Sequence, residues 1–285
     1  MRFFVLGAGG MAGHTISIYL TSRGHEVVGL DRSKLNYCND SIVGDARKTD
    51  EIAKIIRDGN FDAVINCIGI LNQFAENNKA LASFLNGYFP HFLADITSDM
   101  PTQVVHMSTD CVFSGKKGSY AEDDLRDGET FYDRSKALGE LDDNKNITLR
   151  NSIVGPDTNP NGIGLFNWFM QQQGPINGYT KAMWTGQTTL QLAKTMEAAV
   201  RAKASGLYNM VPAQPISKFE LLKLFNHYLR KDSIQIHPND NLVVDKSLRR
   251  TRFAFEYLIP DYETMVAEMA QWIIEHKNLY PHYQL

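Results

Sequence analysis

Tyr132 and Lys136 lie four residues apart in Tyr132-Asp133-Arg134-Ser135-Lys136. On a helix, that phenol and amine would share one face. Spacing alone decides nothing, because a surface Tyr–Lys contact has the same pattern. The pair gains weight from Ser108-Thr109-Asp110, which ends a strand expected over 103–107. Doubly wound sheets bind ligands at the carboxyl ends of their strands. A hydroxyl, a phenol and an amine converging there would form an acid/base set for hydride transfer. Lys136 would lower the phenol pKa by its charge. Tyr132 would pass a proton to or from an alcohol oxygen, and Thr109 would hold that oxygen by a hydrogen bond.

A second set of residues opens the chain. Gly7-Ala8-Gly9-Gly10-Met11-Ala12-Gly13 follows an apolar run and precedes a helical pattern. A diphosphate approaches such a turn only where side chains are missing, and it then meets the free N–H groups of a helix start. The bland alternative is a tight strand-to-helix turn without a ligand. The context favours a dinucleotide, with Gly7, Gly10, Met11 and Gly13 as its contacts. Asp31 ends the next strand and suits the ribose hydroxyls of NAD(H). The adjacent Arg32 suits the extra phosphate of NADP(H), so both cofactors stay open. Asp45 is placed either to bond an adenine amino group or to cap a loop.

The elements that must position these groups alternate regularly. Strands are expected over 3–6, 26–30, 61–68, 103–107 and 147–154. Helices are expected over 13–22, 50–57, 79–97 (bent or divided at Pro90) and 131–141, with a loop over 114–130. That order implies an α/β fold, a Rossmann-type doubly wound parallel sheet. After Gly155 the pattern changes. Helices are expected over 165–172, 190–204, 218–229 and 262–276, and one more strand over 207–211. The organisation expected is a dinucleotide-binding domain over 1–155, to which 185–212 returns. A smaller, mostly helical substrate lobe takes 156–184 and 213–285.

Composition narrows the class. Of the 285 residues, 43% are hydrophobic and 21% charged, enough for a packed core and against global disorder. A formal charge of −3 lacks the basic surplus of a nucleic-acid binder. Three cysteines, Cys38, Cys67 and Cys111, suit a reducing compartment. No apolar run approaches membrane-span length. The expectation is a soluble cytoplasmic protein without nucleic-acid or membrane partners.

Taken together, Gly7-x-x-Gly10-x-x-Gly13, Val64-Ile65-Asn66-Cys67-Ile68-Gly69, Ser108-Thr109-Asp110-Cys111-Val112-Phe113, Tyr132-x-x-x-Lys136 and Leu149-Arg150 resemble the extended short-chain dehydrogenase/reductases. Within them the chain resembles the dTDP-4-dehydrorhamnose reductase-like sugar-nucleotide enzymes. The resemblance implies that Thr109, Tyr132 and Lys136 are the catalytic triad and that Lys136 also bonds the nicotinamide ribose. It implies that Cys67, Ile68 and Gly69 pack beside the cofactor, that Asn86 lies near the active site, and that Asp110 faces the sugar. The implied reaction reduces a 4-keto group on a nucleoside-diphosphate deoxysugar, in nucleotide-sugar or polysaccharide biosynthesis. Trp168 and Trp184, with Lys181 and Thr185 to Thr188, fall where a nucleobase and diphosphate would bind. Arg249, Arg250 and Arg252 form a basic cluster that suits phosphate or a solvated face.

Two rivals remain. Cys111 stands where the reductase pattern has an aromatic residue, and a cysteine there resembles the GDP-fucose synthase pattern, in which it is an epimerisation base. The other reading of Cys111 is packing. A sugar-nucleotide epimerase with tightly held cofactor is therefore an alternative, as is a non-catalytic regulatory relative. His106 reads as a strand residue without a motif partner. No metal is expected, and a homodimer is left open.

Overall fold

The computed structural model describes residues 1–284. Seven parallel strands form the main sheet. The first six are β1 (Arg2–Leu6), β2 (Glu26–Asp31), β3 (Asp40–Val43), β4 (Ala63–Asn66), β5 (Gln103–Ser108) and β6 (Ile147–Arg150), and Gly206–Asn209 is the seventh. Their order is Gly206–Asn209, β6, β5, β4, β1, β2, β3. β1 is apolar on both faces because both are covered: Phe3, Phe4, Val5 and Leu6 are fully buried. From β1 the chain runs one way to β2 and β3, and the other way to β4, β5 and β6. The sheet therefore reverses direction between β1 and β4, and Gly7 and Cys67 lie at the carboxyl ends of that pair. Such a switch point is where this architecture opens a crevice.

Helix α1 (Met11–Ser22) buries Ala12, Ile16 and Leu20 against one face of the sheet. Helix α2 (Thr49–Gly59) buries Ile52 and Ile56 on the other face. It carries Asp50 and Glu51 in its first turn, where acids offset the helix dipole, and is followed by Asn60 at φ 49°. The helix Thr189–Ala202 packs its Leu192, Ala193 and Met196 into the same core as α1, ahead of the seventh strand. A second core gathers Phe166, Phe169, Leu221, Phe225, Met265 and Met269 from the helices Leu165–Met170, Lys218–Arg230 and Tyr262–Glu275. Short strands edge this region. Ile176–Tyr179 pairs with Ile236–Asn239, and Ala182–Trp184 lies between Ile216–Ser217 and Val244–Asp245. Among the described residues no helix is long and apolar enough to cross a membrane.

Several elements differ from the sequence expectation. The helix expected over 79–97 is three pieces: an α-turn at Lys79–Ala82, a π-turn at Ser83–Tyr88 and an α-helix at Phe89–Ile96. Pro90 does not break it, because it occupies the first turn of the last piece, where its missing N–H costs nothing. The helix Phe131–Leu138 stops before Gly139, where a Cβ would drive into the Asn86 carbonyl oxygen. The strand expected over 147–154 divides at Asn151. Its first half joins the main sheet, and Ser152–Val154 pairs with Gly186–Thr188 instead.

One buried ion pair crosses these elements. Arg150, on β6, has no solvent exposure. Its Nε and Nη2 each donate to a Glu140 carboxylate oxygen at 2.7 Å, and Ser108 Oγ, at the end of β5, donates to Glu140 Oε1 at 2.6 Å. Arg126 also reaches Glu140, and Arg150 Nη1 donates to Asn209 Oδ1 at 3.2 Å. Burial would raise the Glu140 carboxyl, but the arginines and Ser108 hold it below its usual value. Removing one charge of such a pair leaves the other uncompensated. Glu140→Gln should therefore lose about 3–5 kcal/mol of unfolding free energy, read by urea denaturation. A loss under about 1 kcal/mol would mean that the pair does not brace the fold.

Candidate active site

The glycine turn is built for close approach. Gly7 has φ +74°, which L side chains rarely adopt, and a Cβ on Gly13 would drive into the Gly7 carbonyl oxygen. Gly10 is exposed and extended at the N-cap of α1. No side chain caps that helix and no acid stands in its first turn, so its positive end is left for an anion. Met11 reaches the second lobe, its sulfur 3.2 Å from the site of a Cβ on Gly164. This bare turn fits the diphosphate of a dinucleotide.

Asp31 lies beside the turn. Its Oδ2 accepts from Gly9 N–H at 2.9 Å and its Oδ1 from Arg32 N–H at 2.7 Å, while Arg32 itself is exposed. Asp45, open between an adenine contact and a loop cap, is engaged by its neighbour Arg47. Its carboxylate accepts from the Arg47 N–H at 2.9 Å and from the Arg47 Nε, and these bonds hold its carboxyl down at about 2. It is a loop carboxylate. Cys67, Ile68 and Gly69 follow β4 directly, and the Ile68 side chain packs within 3.0 Å of the Cβ position of Gly7. Burial pushes the Cys67 thiol up to about 12. Asn86 lies in the π-turn, fully buried. Its Nδ2 donates to Ile70 O at 2.9 Å and Ser135 Oγ at 3.1 Å, and its Oδ1 accepts from Ile70 N–H at 2.8 Å. Asn86 thus acts as a brace, which ties the segment after β4 to the helix of Tyr132 and Lys136.

That helix is firmly anchored. Thr130 and Asp133 form a reciprocal capping box, and Glu76 accepts from Phe131 N–H at 2.6 Å. Tyr132 and Lys136 are 7% and 6% exposed. Thr109 caps the turn Asp110–Val112: its Oγ1 accepts from Cys111 N–H and donates to Asp110 Oδ1, both at 3.1 Å. Burial, then the neighbouring Cys111, pushes the Tyr132 phenol well above its usual value, and the nearby Thr109 hydroxyl partly offsets that rise. The net shift of the phenol is thus upward, opposite in direction to the effect expected of Lys136. Lys136 Nζ points to the Met107 carbonyl at 2.6 Å and to His106 Nε2 at 3.4 Å. Burial pulls its ammonium down to about 8, against the raising effects of Glu140 and Cys67. Asp110 is buried in the same turn. Cys111 packs against the Ala75, Ala82 and Tyr132 cluster, its thiol pushed up to about 12 by burial and then by Asp110. Such a thiol is a poor base near neutrality.

Residues 1–255 match the family model described as the RmlD substrate binding domain. The chain belongs to this family. Among curated proteins, this RmlD-type chain is similar to a probable low-salt glycan biosynthesis reductase, Agl14, of Haloferax volcanii. The two are 33% identical over 143 residues, which are 49% of this chain and 48% of that protein. It is 31% identical over 140 residues to the spore coat polysaccharide biosynthesis protein SpsK of Bacillus subtilis, covering 47% of that protein. The chain spans about half the length of these two relatives. In structure it is similar to a dTDP-4-dehydrorhamnose reductase of Bacillus anthracis solved with NADP, at a TM-score of 0.79 and 18% identity, over 96% of this chain and 99% of that one. That likeness speaks for the fold.

Other expected contacts are corrected by packing. Trp184 is 6% exposed and lies in the second core against Tyr262, so it is not free to stack on a base. Thr185 Oγ1 accepts from Leu248 N–H, and Thr188 caps the following helix. Arg250 donates to the backbone carbonyl of Arg252, and Arg252 pairs with Asp142 and Asp123. Both arginines hold the chain rather than await a phosphate. Trp168 is 40% exposed, beside Tyr179 and Lys218 around a hollow of about 220 Å³. Glu140 belongs to no sequence motif, and none accompanies His106, which touches Lys136. Strand alternation, which sets 106 and 108 on one face, was the available signal.

A side chain on Gly13 tests the turn. Gly13→Ala should cost about 1–3 kcal/mol of stability through overpacking and sharply weaken NADPH and NADH binding in calorimetric titration. Unchanged affinity would mean that the turn does not cradle the cofactor.

Proposed function

We propose that this chain is a reductase that uses NADH or NADPH to reduce a 4-keto group on a nucleoside-diphosphate deoxysugar, in nucleotide-sugar or polysaccharide biosynthesis. The observation that carries the reading is the buried Tyr132 and Lys136 pair on one helix at the carboxyl end of β5, where Lys136 Nζ donates to the Met107 carbonyl and Thr109 opens the next turn. The names of the relatives agree with it. Under this reading residues 1–155 and 185–212 bind the dinucleotide, and 156–184 with 213–285 receive the sugar nucleotide. Gly7, Gly10, Met11 and Gly13 cradle the diphosphate, with Asp31 beside the adenosine ribose. Ile68 and Gly69 line the nicotinamide side.

The bound nicotinamide would supply the hydride. The Thr109 hydroxyl orients the ketone oxygen, and Tyr132, kept protonated by burial, delivers the proton to that oxygen. Lys136 provides the positive charge that offsets the developing phenolate. An epimerase relying on Cys111 as base is disfavoured by its raised thiol and by its packing role.

The reading is tested by following absorbance at 340 nm with a dTDP-4-dehydro-6-deoxyhexose and NADPH or NADH. Stoichiometric cofactor oxidation is the expected result, and conversion without net oxidation would instead identify an epimerase. Tyr132→Phe should lower turnover by about 10²–10⁴-fold. Cys111→Ser should leave ketone reduction within about threefold of the parent, as expected of a packing residue. Selective loss of a stereo-inverted product would assign the thiol a chemical role.

A further inference from the structure

Beneath Lys136 lies a line of buried polar groups that the proposed reaction leaves unused. Asn66 ends β4 and faces His106 of β5 in register, and both are fully buried. Asn66 Oδ1 accepts from the Ile68 N–H at 3.1 Å, which fixes the orientation of the amide. Its Nδ2 therefore faces His106 Nδ1, at 3.2 Å. An amide nitrogen only donates, so Nδ1 is the accepting nitrogen and the ring proton sits on Nε2. That N–H points at Lys136 Nζ, 3.4 Å away. An ammonium has no lone pair to receive it. A free amine does, and can still donate to the Met107 carbonyl at 2.6 Å.

We infer that His106 is a positioning residue for Lys136, held by Asn66 as its Nε2–H tautomer so that it favours the free amine of that lysine. The role this gives Lys136 in turnover rests on the reductase reading above. Other groups act on the same lysine. Glu140, just past the end of its helix, and Cys67, after β4, both favour the charged form, and burial opposes it. Arg150 and Arg126 already engage Glu140, which weakens its pull. His106 itself is kept neutral by burial, by Lys136 and by His91. With the ring donor removed, the ammonium loses its donor-to-donor conflict and the lysine becomes harder to deprotonate.

The first test needs no substitution. Long-range 15N–1H spectra of the imidazoles in the cofactor-free protein should show His106 protonated on Nε2, and a proton on Nδ1 would overturn the inference. The second follows the Lys136 13Cε resonance with pH, assigned through Lys136→Met. His106→Leu should raise its titration midpoint by about one unit. Asn66→Ser, which removes the amide donor with a smaller side chain, should move it the same way and serves if His106→Leu does not fold. No shift, or a fall, would overturn the inference. In turnover, the alkaline limb of the kcat profile should move upward in both variants. If the spectra agree but Tyr132→Phe and Lys136→Met keep full turnover, the tautomer stands and the reductase reading fails.

Discussion

The Glu140–Arg150 ion pair is the constraint on which the site depends. Thr109 and the helix that carries Tyr132 and Lys136 come from segments with no covalent reason to meet. Glu140 follows the helix that carries Tyr132 and Lys136, Arg150 lies on β6, and Ser108 immediately precedes Thr109. One carboxylate therefore fixes the end of β5 to the end of that helix. Burying two charges is costly, and hydrophobic replacements of such pairs are often more stable. Here the carboxylate's oxygens are met by Arg150, Arg126 and Ser108, so few polar groups are left unpaired. The arrangement gives up some stability in exchange for a defined register between strand end and helix.

A second brace acts on the middle and carboxyl end of the same helix. Asn86, within the π-turn at Ser83–Tyr88, reaches Ile70 and Ser135. Gly139 then lets the helix end against the Asn86 backbone. Together the two braces, with the capping box and Glu76 at the helix start, fix the helix that carries Tyr132 and Lys136. Rigid placement of this kind is what proton transfer requires of a catalytic pair.

The legible parts of the chain were those governed by local pattern. β1 and β4 announce themselves as short apolar runs, and α1 by the glycines before it. The short edge strand β3 carries only Ser41 buried and gives no periodic signal. The division at Asn151 and the π-turn depend on tertiary pairing, which a single sequence does not display. The same limit applies to individual residues. Asp45 was open between an adenine contact and a loop cap, and Trp184 was expected near a nucleobase, because residue type does not reveal a partner brought in by the fold, Arg47 for the one and Tyr262 for the other. His106 looked isolated for the same reason: its partner lies thirty residues on, across a helix turn.

Burial also gives the pocket a chemical direction. It raises the phenol of Tyr132 and lowers the ammonium of Lys136, so both groups are driven towards their neutral forms. A neutral phenol is a proton donor, which is what an alkoxide formed by hydride addition needs. Oxidation of an alcohol would instead need a phenolate, and this resting environment opposes that form. The thermodynamics of the substrates sets the equilibrium in either direction, but the resting protonation state is already the one that reduction consumes. The raised Cys111 thiol points the same way, since burial withholds the thiolate that a carbon-acid epimerisation would require.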